Sequence, residues 1–312
     1  MNRHLQHNLS ILLKELRTYF EDHSFLEVEV PPIVINPGME AHLHPFEIKS
    51  KHNNKDLGLY LHTSPEFYMK KLLSEGLKNI FNISFSYRDE PHSETHRKQF
   101  LMLEWYRAST NYDVIKKDCD NIIERSYSAF EKPSPLKQYV TVNELFQENL
   151  DFSILDFLDP KDLKEKIVCD FPKLLLAHDD LWPWEDYFFL IFLNEVEPHF
   201  KTIPYLMVDL FPAPLSALST IDTTDPRVCN RFEVYLEGTE VANCFNELTD
   251  ISEQRKRFQN EERKKERLYK YKLPQAEVLY NALEKGIPPS AGIALGIERL
   301  LLAITKKDSF LS

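Results

Sequence analysis

The sequence predicts an α+β fold, an antiparallel sheet with helices around it, in one domain spanning residues 1–312. Three observations carry that reading. Strand-like and helix-like patterns are mixed along the chain without the regular βαβ alternation of a doubly wound sheet. Two pairs of extended segments sit where antiparallel hairpins would place them, one closing around the two-residue connection Glu237-Gly238. The chain, at 312 residues, is long enough to bury a substantial core without disulfides or a structural metal.

Each element follows from its pattern. From Leu5 to His23, Leu9, Leu12, Leu13, Leu16 and Phe20 recur at three- and four-residue spacing, the mark of an amphipathic helix. Phe25 to Val30 alternates as a strand, and Pro31-Pro32 ends it because proline has no N–H to donate. A second extended stretch, Leu57 to His62, leads into Thr63-Ser64-Pro65, a hydroxyl cap and an early proline ahead of a helix from Pro65 to Ser74. Ile80 to Arg88 and Phe100 to Arg107 alternate again, a hairpin with a long, polar, His-rich connection. Residues 133–200 are Leu- and Asp-rich with helical spacing and two proline breaks, and read as a mostly helical insertion. Sheet returns with Tyr205 to Leu210, then Phe232 to Leu236 and Thr239 to Phe245 flank the tight turn. A charged helix from Ser252 to Tyr269, a loop from Gly286 to Ser290 and a strand-to-helix transition from Ile293 to Ile304 complete the chain.

Composition excludes several classes of function. A formal net charge of −11 argues against a protein held to nucleic acid by a basic surface. Only 7 of 312 residues are glycine, and neither G-x-x-x-x-G-K-[ST] nor G-x-G-x-x-G occurs, so a bound nucleotide must be held by side chains. The cysteines Cys119, Cys169, Cys229 and Cys244 form no C-x-x-C pair, and no basic-then-apolar leader precedes the first helix. Together these predict a reduced, cytoplasmic protein. The longest apolar run, Tyr187 to Leu193, is far short of the roughly 20 residues that span a bilayer, so it belongs in a core.

Glu233, Glu240 and Glu247 stand seven residues apart. If Leu236 pairs with Thr239, Tyr235 faces Glu240, and Glu233 shares their side of the sheet because side chains alternate. Two carboxylates on one face suit Mg²⁺ with phosphate supplying further oxygens, or else form a solvated charged face. Phe232, Val234, Val241 and Phe245 make the opposite face apolar. Arg88 and Arg299 each end an apolar segment and present forks that match two oxygens, of a phosphate, a substrate carboxylate or an internal acid such as Glu90. His92 and His96, four apart in a polar stretch without a nearby Cys or third His, read as a loop rather than a zinc site. Ser64, Ser93 and Cys244 lack the neighbours of a catalytic triad.

Four segments in chain order then resemble the motifs of class II aminoacyl-tRNA synthetases: FLEVEVPPI (25–33), YRDEPHSETHRKQFLMLEWY (87–106), RFEVYLEGTEVANCFNELTD (231–250) and AGIALGIERLLLAI (291–304). TSPE (63–66) and FPAPLSAL (211–218) are similar to the lysyl branch of that class. Within the branch, the length leaves no room for an anticodon-binding domain. LEWYR (103–107), the stretch 219–235 and Ala294 look like the ligases that keep only the catalytic domain and attach β-lysine to elongation factor P.

The resemblance implies that ATP and an amino acid form an aminoacyl adenylate, a reaction of alignment and charge neutralisation without a covalent nucleophile. It assigns Arg88 to the carboxylate and α-phosphate, Arg299 to the terminal phosphate, and Asp89, Glu90, His96, Arg97, Val241 and Gly296 to the nucleotide. The adenine would lie between Phe100 and Arg299, and Glu233 and Glu240 would hold Mg²⁺. Around the amino acid it places Ser64, Pro65, Glu66, Glu104, Tyr106, Asn243, Glu247 and Ala294, with Glu66 on the α- or β-amine and Glu104, Tyr106 and Glu247 on the ε-ammonium. Such a site implies (R)-β-lysine or lysine as substrate, elongation factor P as acceptor, and a homodimer formed through Phe25 to Ile33, with no role for tRNA, DNA or membrane. Two departures stand out: HRKQF at 96–100 where the family has HNPEF, and Cys244 where it has glycine, which would narrow the pocket. A tRNA-charging enzyme and a non-catalytic nucleotide sensor are the competing functions.

Overall fold

The computed structural model describes residues 3–52, 55–90, 97–174 and 181–306. In chain order the elements are α1 (Arg3–Asp22), β1 (Leu26–Glu27), β2 (Ile33–Val34), β3 (Glu47–Ser50), β4 (Lys55–Leu61), α2 (Glu66–Ser74), β5 (Asn79–Tyr87), β6 (Gln99–Ala108) and α3 (Tyr112–Ala129). They continue with β7 (Lys137–Thr141), α4 (Val142–Leu150), α5 (Pro160–Asp170), α6 (Trp184–Ile191), β8 (Tyr205–Pro212), β9 (Val228–Leu236), β10 (Thr239–Asn246), α7 (Ile251–Tyr269), α8 (Glu277–Lys285), β11 (Ser290–Gly296) and α9 (Ile297–Thr305). The chain resolves into two compact units, one of Met1–Ser134 with Glu247–Ser312, the other of Pro135–Asn246. The pairing is mostly antiparallel, as the patterns predicted.

In the first unit the strand order is β1-β5-β6-β11, with β1 parallel to β5 and the other pairs antiparallel. Alternation along β6 sends Leu101, Leu103 and Trp105 to one face and Phe100, Met102, Glu104 and Tyr106 to the other. The first face is the core: Phe20 of α1 stacks on Phe81 at 4.4 Å and meets Trp105 at 5.5 Å, all three fully buried. Each such aromatic contributes about 4–6 kcal/mol by area, an upper bound. Buried Asp118 of α3 ties this layer together, accepting from Tyr19 Oη at 2.9 Å and from Arg107 at 2.6 and 2.8 Å. The second face carries the site.

The strand predicted over Phe25 to Val30 shrinks to Leu26–Glu27, because two consecutive exposed residues break the alternation there. The extended stretch predicted over Leu57 to His62 is β4, the middle strand of a small sheet β2-β4-β3, whereas α3, α8, β2 and β3 carry no counterpart in the sequence pattern.

In the second unit the order is β10-β9-β8-β7, antiparallel except for β7 beside β8. The stretch read as a helical insertion therefore opens with a strand, whose polar K-Q-Y-V-T gave no apolar alternation. Thr141 then starts α4 with a reciprocal capping box to Glu144. The Tyr187 to Leu193 run buries Tyr187, Phe188, Ile191 and Phe192 in a core with Phe146 and Phe200, while Phe189 and Leu193 face outward. No helix among the described residues is long and apolar enough to cross a membrane.

Candidate active site

The first unit gathers an acid cluster. On β6, Glu104 is 2% exposed, and Tyr106 Oη donates to its Oε2 at 3.2 Å. The antiparallel register sets Ala294 opposite Glu104 and Gly292 opposite Tyr106 on the same face, so small residues of β11 leave the room the acids need. A Cβ added to Gly292 would lie 2.1 Å from Tyr106 Cε1 and 2.7 Å from Glu247 Oε1. By contrast one on Gly296 would meet Arg299 at an ordinary 3.5 Å, so Gly296 is not sterically required. Glu247 is anchored beside β11 by its N–H, which donates to the Ser290 carbonyl at 2.9 Å.

Glu66 enters from the start of α2, where Ser64 Oγ accepts from its N–H at 3.3 Å and Pro65 is buried. One turn on, Lys70 is 2% exposed; its Nζ donates to Glu66 Oε1 at 2.7 Å and lies 2.6 Å from Glu247 Oε2. The second contact is charge to charge, off the hydrogen-bond direction. Lys70 was not foreseen, although a Glu-to-Lys step of four on one helix is legible in TSPEFYMK.

The charges respond as a buried cluster should. Burial pushes Glu104 well above the usual carboxylate range, reinforced by the nearby charge of Glu66 and opposed by Tyr106 and Lys70. Burial also raises Glu66, against the pull of Lys70. Glu247 is pushed up to about 8 by burial, despite Lys70. Burial works against the Lys70 ammonium, but Glu247 and Glu66 outweigh it and keep the lysine charged. Burial thus favours the protonated form of these carboxyls, and a further cation beside them would favour the charged form.

At the far end of the same face, the Arg88 guanidinium stands 5.2 Å from the half-buried Phe100 ring, and Arg88 N–H donates to the Lys98 carbonyl at 3.0 Å. Asp89 is exposed and accepts from Lys98 Nζ at 2.6 Å; Glu90 is half-buried. Arg97 is exposed, and its charge reaches Glu298. Glu298, also unforeseen, accepts from Leu101 N–H at 2.7 Å and so pins the start of α9, which carries Arg299, to β6. His92 and His96 lie outside the described residues.

In the second unit the predicted turn register holds at first, with Thr239 opposite Leu236 and Glu240 opposite Tyr235. A bulge at Val241 then shifts it, so that Asn243 faces Glu233 and Phe245 faces Arg231. Glu240, Asn243 and Phe245 therefore share the acid face, which places Phe245 opposite to the expectation. Buried Cys244 pairs with Phe232 on the reverse face, away from Glu233 and Asn243, so the expected narrowing does not arise from its side chain. Both Glu233 oxygens are taken: Arg231 donates to Oε1 and Tyr235 Oη to Oε2, each at 2.6 Å. Arg231 also donates to Asn243 Oδ1 at 3.3 Å and to the Leu215 carbonyl at 3.0 Å. Glu233 feels the charge of Glu240, which is half-buried. No cluster of three or more His, Cys, Asp or Glu among the described residues could hold a metal.

Comparison with known proteins gives the family. A family model described as tRNA synthetases class II (D, K and N) matches residues 1–310. The chain is 33% identical over 301 residues to the elongation factor P–(R)-beta-lysine ligase of Salmonella dublin, covering 96% of this chain and 90% of that one. The same values hold for the ligases so named in Salmonella paratyphi B and Salmonella enteritidis.

Proposed function

The chain belongs to the class II tRNA synthetase family, and on that footing we propose that it is an ATP-dependent ligase that activates (R)-β-lysine, or lysine, and transfers it to a lysine side chain of elongation factor P. The buried cluster of Glu66, Glu104 and Glu247 is the observation that carries the substrate. Three acids share one space with a single internal ammonium, Lys70, so their charge is only partly balanced, and a neutral substrate side chain would leave it so where an ammonium would not. The relatives, 33% identical over nearly the whole chain, carry the acceptor in their name.

In the adenylation step the amino acid's carboxylate attacks the α-phosphate of ATP, the bond to the β-phosphate breaks, and pyrophosphate leaves. Arg88 holds both reacting anions in line, Phe100 stacks on the adenine against Arg299, and Arg299 takes the terminal phosphate. Asp89, Glu90, His96, Arg97, Val241 and Gly296 border the nucleotide. Ser64, Pro65, Asn243 and Ala294 shape the amino-acid end.

For magnesium, which would neutralise charge on the leaving pyrophosphate, Glu240 fits as a protein ligand with phosphate oxygens for the rest. Glu233 does not fit as a direct ligand, since Arg231 already fills it with a cation; it supports the face on which Glu240 and Asn243 stand.

We also propose one catalytic domain with residues 133–200 inserted, acting in the cytoplasm. A twofold dimer through Phe25 to Ile33 is supported by Leu26 and Ile33, which stand 53% and 49% exposed. Elongation factor P would dock on the basic stretch 253–272, although Arg255, Arg257 and Lys272 there have acid partners in Glu284, Glu253 and Glu266.

The test is pyrophosphate exchange with lysine and each β-lysine enantiomer, followed by transfer of the labelled amino acid to elongation factor P or to tRNA. Exchange with labelling of the protein factor is expected. Strong tRNA charging would reverse the reading, and absence of exchange with every isomer would favour a nucleotide sensor.

A further inference from the structure

Lys70 is the one cation inside the acid cluster among the described residues, and it touches both ends of it. Its Nζ lies 2.7 Å from Glu66, the acid assigned to the α- or β-amine, and 2.6 Å from Glu247, an acid assigned to the ε-ammonium. It reaches them from α2, four residues after Glu66, and its stem is as buried as its charge. Fully ionised, Glu66, Glu104 and Glu247 carry three negative charges, and Lys70 leaves two. Half-exposed Glu40 adds a further charge that acts on Glu66 and is shared with Lys265.

We infer that Lys70 is a specificity-determining residue: its ammonium bridges Glu66 and Glu247, fixes the distance between the two amine-receiving acids, and leaves a deficit of charge that a substrate with two ammonium groups fills. The inference rests on the ligase reading and adds to it the residue that sets how many cations the pocket takes. Without Lys70 the two acids repel and turn apart, and the amino acid loses its receptors while the nucleotide keeps its own.

Lys70→Ala removes the equivalent of an n-propylammonium ion, which supplies the test. In pyrophosphate exchange the variant is expected to raise the KM for the preferred lysine isomer by about tenfold or more, with the KM for ATP within about twofold of wild type. Added n-propylammonium should restore most of that loss, and n-propanol, which fills the space without charge, should not. Rescue by propanol to the same degree would reduce Lys70 to packing and overturn the inference, as would an unchanged KM. Should Lys70→Ala fail to fold, Lys70→Met keeps the stem without the charge. The same KM increase is expected, and a KM within about twofold of wild type would refute the role. Exchange by the wild-type chain beside an unaffected variant overturns this inference alone. A wild-type chain that exchanges with no lysine isomer overturns the ligase reading, and this inference with it.

Discussion

Gly292→Ala adds one carbon at the most crowded point of the acid cluster. The new Cβ would sit 2.1 Å from Tyr106 Cε1, 2.4 Å from Cδ1 and 2.7 Å from Glu247 Oε1. Ordinary contact begins at 3.4 Å, so the ring must retreat by about 1.3 Å, yet Tyr106 is buried and its hydroxyl is hydrogen-bonded to Glu104. Overpacking of this kind costs about 1–3 kcal/mol, and moving the ring also threatens the hydrogen bond that Tyr106 Oη donates to the Glu104 carboxyl. A middle value of about 2 kcal/mol, felt at the amino-acid end alone, is about thirtyfold in the KM for a lysine isomer. Pyrophosphate exchange at saturating ATP measures it, with the KM for ATP as the internal control. A wild-type KM for the amino acid, in a variant that melts normally, would show that Tyr106 and Gly292 do not shape the pocket.

Glu240→Gln should abolish exchange while leaving the thermal melt near wild type, because the acid is half-buried and outside the core; near-normal exchange would contradict its metal role. The cluster should also make amino-acid binding pH-dependent. Burial holds the Glu247 carboxyl up at about 8 against a usual 4.5, so an arriving ammonium must displace a proton, and the KM for lysine should fall as pH rises from 6 to about 8. Calorimetry in two buffers of different ionisation enthalpy should find proton release near neutrality, and its absence would refute the shift. For stability the sign is opposite: the contribution of a raised acid is complete below about 4.5 and lost as pH rises through about 8. Thr141→Ala removes the capping box of α4 and should lower stability by about 1 kcal/mol with exchange kinetics unchanged, a melt and one rate measurement sufficing.

Elements that bury one face were readable from periodicity, which is why α1, β5, β6 and the β9–β10 turn appear where the apolar spacing put them. The parallel strand Lys137–Thr141 was not readable, because its pattern records two partly exposed faces. In the site, Glu104 and Tyr106 came from the family motif and not from alternation, and the regular strand β6 does set the two on one face. The bulge at Val241 was not. It arises from how β9 and β10 pair, and one extra residue sends every later side chain to the other face.

That single residue explains why the simple hairpin argument and the family motif disagree about Asn243. In an unbroken ladder, Glu240 and Asn243 fall on opposite faces, since three residues separate them, and no substrate could meet both. With Val241 bulged they share a face with Glu233, and Arg231 then has a use: it donates to Glu233 and to Asn243, so one buried guanidinium fixes the acid and the amide together. Lys70 does the same for Glu66 and Glu247 in the first unit. Both bases went unassigned in the sequence because a motif read for ligands emphasises the groups that face the substrate. Burial demands the complementary set, since acids withdrawn from water must be held by internal cations before a substrate arrives. Arg231 stands two residues from Glu233 and Lys70 four residues from Glu66, so each base lies close in the sequence to an acid that it holds.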